Sequence, residues 1–197
     1  SAAVEEKISI KRMDLSTVAN DITYQTIDVV LEGVEYSKEN WSEGDELALY
    51  NEARGKGIVS EILDVAGTKK NRVVAIGTPN EPFNVVYPAS AAKSLNTTAV
   101  IDFPAVQHYV DGSLAKESQI YLGRSVEGSA QLNLLTSIFG VTVTANYDCK
   151  VSSIEISSKS KALAGVAEVD MSYESEPTLL FTDIKSSVKL VMDTPVV

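Results

Sequence analysis

Residues 26–36 read TIDVVLEGVEY, and in this stretch Ile27, Val29 and Leu31 share one parity against Asp28 and Glu32. Successive side chains of a β-strand point to opposite faces, so this alternation describes a strand with one apolar and one polar face. The same period of two runs along the chain. It opens at KISIKR (7–12), with Ile8 and Ile10 between polar neighbours. It continues at 46–50 (ELALY), 57–65 (GIVSEILDV), 72–77 (RVVAIG), 83–87 (FNVVY) and 98–103 (TAVIDF). Further runs are 119–125 (QIYLGRS), 130–135 (AQLNLL), 139–147 (FGVTVTANY), 151–158 (VSSIEISS), 162–171 (ALAGVAEVDM) and 187–193 (SVKLVMD). These runs are short and rich in β-branched residues, with turn-forming residues between them, which predicts an antiparallel sandwich or barrel. In VSSIEISS, Val151, Ile154 and Ile156 cannot all share a parity, and a β-bulge near Ser152–Ser153 is expected.

Helical signals are weak. VEYSKENW (34–41), SAAKSLNTT (90–98) and SLAKES (113–118) each have room for a turn or two, but none carries the stripe of an amphipathic helix. Glu43-Gly44-Asp45, Pro79-Asn80-Glu81-Pro82 and Asp111-Gly112 suit tight reversals. Pro88 and Pro104 should end strands, because proline has no N–H to give a ladder. The reading is one all-β domain over residues 1–197.

Composition narrows the chemistry. The 197 residues carry 27 acidic against 17 basic side chains, a formal charge of −10 that repels phosphate backbones and anionic lipid headgroups. Lys69, Lys70 and Arg72 form the one short basic turn, read as a hairpin tip, so no nucleic-acid partner is expected. One cysteine, Cys149, permits no internal disulfide, and one histidine, His108, leaves a zinc site short of its usual ligands. His108 has no G-x-S-x-G elbow to serve, and RGKG (54–57) lacks the spacing of a phosphate loop and reads as a hairpin tip. Glu43 with Asp45, and Glu174 with Glu176, are close acid pairs that sit where solvated turns are expected. No enzyme, cofactor or metal is therefore anticipated. No apolar run reaches the roughly 18 residues of a membrane span, and a start at SAAVEEK points to a signal segment already removed.

Trp41, the sole tryptophan, opens WSEGDELALY (41–50) and reads either as a plug at one end of the fold or as a sugar-stacking platform. Its pattern W-x-x-G-D, followed by a strand ending in an aromatic, resembles the fimbrillin-like proteins of Bacteroidetes, the family of major and minor fimbrial subunits and their anchors. FNVVYPAS (83–90) is similar to the family's aromatic-Tyr-Pro-Ala-Ser strand end. FPAVQHYVDGSL (103–114) is similar to its Pro-x-x-Gln-x-Tyr segment, and YLGRS (121–125) follows. LNLLTSIFGVTVT (132–144) resembles the strand pair bearing the inward-facing core, VSSIEISS the next strand, and LAGVAEV (163–169) the Ala-Gly strand after it.

The resemblance implies a transthyretin-like, Greek-key β-sandwich forming the N-terminal domain of a longer two-domain subunit, with Val197 close to the junction. It implies export as a lipoprotein, membrane attachment only through a lipid anchor on the precursor, and a place on the cell surface or in an extracellular fimbrium. Its partners would be other fimbrial subunits, joined by strand exchange. In this family an arginine-directed protease removes an N-terminal strand to open a groove. Arg12, directly after EKISIK, is the expected processing site, with Ile8 and Ile10 filling the groove beforehand and Arg54 as the alternative. The competing expectation is a monomeric surface lipoprotein that binds glycan or host matrix through the aromatics Trp41, Tyr36 and Tyr50.

Overall fold

The computed structural model describes residues 11–12, 23–53, 55, 57–172 and 176–197. Helical structure among them is limited to single 3-10 turns at Ala89–Ala91 and Lys116–Ser118; the second lies inside 113–118, while the first only overlaps the start of 90–98, most of which is strand. All else that is regular is β: β1 (Lys11–Arg12), β2 (Tyr24–Glu32), β3 (Glu46–Tyr50), β4 (Gly57–Glu61), β5 (Lys70–Ile76), β6 (Asn84–Tyr87), β7 (Ala92–Leu95) and β8 (Thr98–Phe103). The remaining strands are β9 (Val106–His108), β10 (Tyr121–Val126), β11 (Ser129–Leu134), β12 (Val151–Ser157), β13 (Ala164–Asp170), β14 (Leu179–Lys185) and β15 (Ser187–Val196).

Seven strands form a mixed sheet in the order β4-β3-β6-β10-β11-β2-β5 that nearly closes into a barrel, with β1 paired to β4. The gap between β4 and β5 is bridged by single bonds in place of a ladder. The Val74 N–H donates to Ser60 Oγ at 3.0 Å, and the Leu63 N–H to the Arg72 carbonyl at 2.9 Å. Asn71, almost fully buried, braces the same seam: its side-chain oxygen accepts the Asp64 N–H at 3.0 Å and its amide donates to the Asp64 carbonyl at 3.2 Å. Two smaller sheets complete the described chain, β14-β13-β8-β7 and β12-β15-β9.

The expectation of an antiparallel arrangement holds for most neighbours but not all. β11 runs parallel to β2, β9 to β15 and β1 to β4. Alternation reads the same in both directions along a chain, so it assigns a face without assigning a strand direction.

The parity of β2 places Ile27, Val29 and Leu31 inside the barrel, with Leu47, Leu49, Val73, Val85 and Tyr121. On β3, β6 and β10 the other parity is buried as well. Ala48, Tyr50, Val86 and Leu122 turn outward from the barrel and meet Ala99, Ile101, Phe103, Ala167 and Val169 of the four-stranded sheet. A strand covered on both faces has no polar parity, which is why ELALY and NVVY read as continuous apolar runs. Close approach also explains two glycines. A Cβ at Gly123 on β10 would collide with the Gln131 carbonyl of β11. Gly165, at φ +117°, lies against the Asp183 carbonyl beside the register shift between β13 and β14.

Pro88 directly follows β6 and Pro104 directly follows β8, as their missing N–H requires. The β12–β15 register shifts between Val151 and Ser153, where parity demanded a bulge. Lys69, Lys70 and Arg72 are not a bare hairpin tip. Lys70 opens β5, and the three cations pair with Glu32, Asp28 and Asp64 at 3.0, 2.9 and 2.8 Å.

One strand expectation fails. Residues 135–150 belong to no strand, and Phe139, Val141, Val143 and Tyr147 are 69, 51, 53 and 73% exposed. The alternation is real, but no ladder partner receives it. Conversely β14, LLFTDIK, carries no clean parity and was not anticipated from sequence.

Leu49→Ala, at the centre of the barrel wall, should lower unfolding free energy by roughly 2–5 kcal/mol in a denaturant titration. Thr26→Ala, exposed on β2, should stay below about 1 kcal/mol. Equal effects at both sites would contradict the assignment of faces.

Candidate functional site

The segment WSEGD closes one end of the barrel. Trp41 is 1% exposed, its ring meets Tyr87 edge-on at 5.1 Å between centroids, and its indole N–H donates to the Val29 carbonyl at 3.2 Å. Gly44, at φ +81°, makes the turn that brings Asp45 back over these rings. Asp45 is the polar hub. Oδ2 accepts the Ser42 N–H at 2.7 Å, Oδ1 accepts the Tyr87 hydroxyl at 2.8 Å, and the Lys38 ammonium lies 3.1 Å from Oδ2. Burial, then the hydrogen bond to Asp45 and its charge, push the Tyr87 phenol well above its usual pKa. The Tyr121 hydroxyl, also raised by burial, donates to the Lys38 carbonyl at 3.2 Å. These groups are committed to one another, so the cluster is a latch and not an acid–base pair.

The three aromatics expected to face a ligand are not brought together. Trp41 belongs to the barrel core and offers no open ring face for stacking. Tyr50, 5% exposed, lies on the opposite side of the wall in the second core. Tyr36 is 60% exposed on the turn after β2, at φ +67°. A single sugar platform built from all three is therefore ruled out: they occupy two cores and a turn.

Arg12 ends β1, whose backbone pairs with β4 through Lys11↔Ile58 and Arg12↔Val59. Ile8, Ile10 and Arg54 lie outside the described residues. Glu174 is also outside them, and Glu176 is exposed. Glu43 is exposed, whereas its neighbour Asp45 is spent on the latch. Cys149 is a half-buried free thiol. His108 is a surface residue whose Nδ1 lies 2.6 Å from Glu117 Oε1, and that bond, followed by the glutamate's charge, raises its pKa. Among the described residues no three His, Cys, Asp or Glu side chains gather as a metal site.

Two features remain with potential to bind. The first is an open cleft of about 440 Å³ at the base of the β3–β4 hairpin, lined among others by Tyr50, Glu52, Asn84, Thr97, Arg124 and Ser172. Arg124 stands on β10 opposite Asn84, is exposed, and makes no ion pair with the described residues. Its guanidinium carries donors and the Glu52 side chain carries acceptors, a mixed lining that suits a neutral polar ligand better than an anion. Sequence reading found Tyr50 but not Arg124, which no local pattern distinguishes.

The second feature is unpaired backbone. Among the described residues β14 and β12 are terminal strands of their sheets, so each leaves one ladder edge open there. Leu180 and Ile184 on β14 are 65 and 64% exposed, while Phe181 turns inward to Phe103 at 5.9 Å between centroids. A free edge with exposed alternate apolar side chains is the geometry that accepts an added strand.

Comparison with protein-family models, with curated proteins and with solved structures finds no match to this chain.

Tyr87→Phe should lower stability by about 1–3 kcal/mol in a denaturant titration, because Asp45 loses its buried donor. An unchanged midpoint would mean that the latch carries no load. In a proton NMR titration, His108 should titrate above the ordinary value near 6.5, and Glu117→Gln should return it there. The sign follows: the histidine's part of this stability is present below its unfolded pKa and lost as pH rises through the folded one. The part from Glu117, whose pKa is lowered, is lost as pH falls through its folded value.

Proposed function

We propose that this chain is a cell-surface fimbrial subunit, either a structural subunit of the shaft or a tip or anchor component, which assembles by β-strand addition and supports adhesion. The observation that carries the reading is the coexistence of open edges on β14 and β12 with a strand-patterned segment, 139–147, that has no ladder partner among the described residues. An isolated molecule gains little from either feature. Two molecules gain hydrogen bonds and apolar burial from both.

The finer fold in this reading is a transthyretin-like Greek-key sandwich. The face-to-face packing of the four-stranded sheet on β3, β6 and β10 supports the sandwich element. The chain would be the N-terminal domain of a longer lipoprotein at the outer membrane or in an extracellular fimbrium. Processing at Arg12, with Arg54 as the alternative, would detach everything up to β1 and free the outer edge of β4. Among the described residues β1 is held to β4 through two pairs, Lys11↔Ile58 and Arg12↔Val59, which this release would open.

A second reading, a monomeric surface lipoprotein that binds glycan or host matrix, draws its support from the cleft at Tyr50 and Arg124. Its mixed polar lining suits a sugar hydroxyl array. One experiment separates the two. An immunoblot of the native outer-membrane fraction, unboiled against fully boiled, should give a heat-sensitive ladder that collapses to a monomer larger than this chain. A single band at the chain's own mass in both lanes would reject the fimbrial subunit and favour the monomeric binder.

A further inference from the structure

We infer that residues 139–147 are a donor strand for a second copy of this chain and that the acceptor is the open edge of β14. The inference rests on the strand-addition reading above and assigns its two surfaces.

The donor is marked by three independent properties. Phe139, Val141, Val143 and Tyr147 recur on one parity, the signature of a strand with one buried face. All four are at least half exposed, whereas Val29 of β2, Tyr50 of β3, and Val85 and Tyr87 of β6 are buried. The segment also has no ladder partner among the described residues. Apolar alternation without a ladder fits a segment that adds to the edge of another sheet.

Charge explains why the neighbour is a second copy. Each chain carries −10 and repels its like over most of its surface. Between Glu127 and Asp148, however, no Asp, Glu, Lys or Arg occurs. A like-charged molecule meets less local repulsion along this stretch than along the charged strands. The acceptor fits the same logic, since β14 bears one acid and one base, Asp183 and Lys185, which lie 3.5 Å apart and cancel locally.

Size agrees as well. Residues 139–147 span about 30 Å as a strand, long enough to cover the seven residues of Leu179–Lys185. Phe139 and Tyr147 are of the type that bury about 150–250 Å² each. The intervening valines, the backbone, and Leu180 and Ile184 opposite add to that burial. Donor and acceptor are different patches, so the contact is heterologous. It propagates from copy to copy unless the rotation closes a ring.

The test uses the purified 197-residue chain. Wild-type protein should form oligomers that grow with concentration in sedimentation velocity. Hydrogen-exchange mass spectrometry should then show added protection in 139–145 and in 179–185 as the oligomer fills. Val141→Lys with Val143→Lys should raise the dissociation constant by about tenfold or more, and Ile184→Lys should weaken association from the acceptor side. All three positions are at least half exposed, so far-ultraviolet circular dichroism should remain that of the wild type. A chain that stays monomeric across the series overturns the inference, as does association that leaves both segments unprotected or survives the double substitution. The fimbrial reading fails separately. A native heat-sensitive ladder that persists in the Val141→Lys, Val143→Lys variant sinks the donor assignment alone. Loss of the ladder in wild type, with self-association of the purified chain intact, sinks the fimbrial subunit alone.

Discussion

Strands β3, β6 and β10 form a wall with a core on each side, and the other strands of those cores are placed by which side of it they cover. Leu47, Leu49, Val85 and Tyr121 face the barrel, while Ala48, Tyr50, Val86 and Leu122 face the four-stranded sheet. Burial of this kind contributes about 25 cal/mol for each Å² of apolar surface removed from water. A strand buried on both faces collects that contribution twice. The barrel strands β2, β5 and β11 then need one apolar face, and β8 and β13 need another. Gly123 belongs to the same constraint, because β10 can approach β11 only without a Cβ at that point.

The end of the barrel is closed by chemistry of a different kind. Asp45 gathers a backbone amide, a phenol and an ammonium, and each would cost free energy if left unpaired so close to the core. Trp41 fills the space beneath them. Trp41, Asp45 and Tyr87 are thus the residues that hold the barrel end together, and none of them is left free to meet a ligand.

Exposed apolar surfaces are unevenly distributed. The barrel and the face it shares with the four-stranded sheet are sealed, with β2, β3 and β6 leaving no apolar side chain of their inward parity in water. The C-terminal third is not sealed. β14 and β12 keep open edges, and the long connection before β12 displays aromatics and valines to solvent. Exposed apolar side chains and open strand edges thus both fall in this third of the molecule among the described residues. This asymmetry, and not a nucleophile, metal cluster or histidine, is what sets the direction of the functional argument.

By itself the sequence determined what alternation and backbone chemistry can encode. It placed Ile27, Val29 and Leu31 on one buried face, put the bulge at Val151–Ser153, and ended β6 and β8 at Pro88 and Pro104. Those outcomes are local, set by the two-residue pleat and by proline's missing N–H. The tertiary structure decided which strand lies beside which, and in what direction. It made β11 parallel to β2, gave β14 a neighbour despite its irregular pattern, and left 139–147 with a strand's alternation and none of its hydrogen bonds. It also turned Trp41 inward and set Tyr50 beside Arg124 in one cleft. A ladder bond joins residues far apart in the chain, so no window of sequence contains both of its partners. Alternation tells a strand which face to hide, and only the folded chain tells it whose edge it meets.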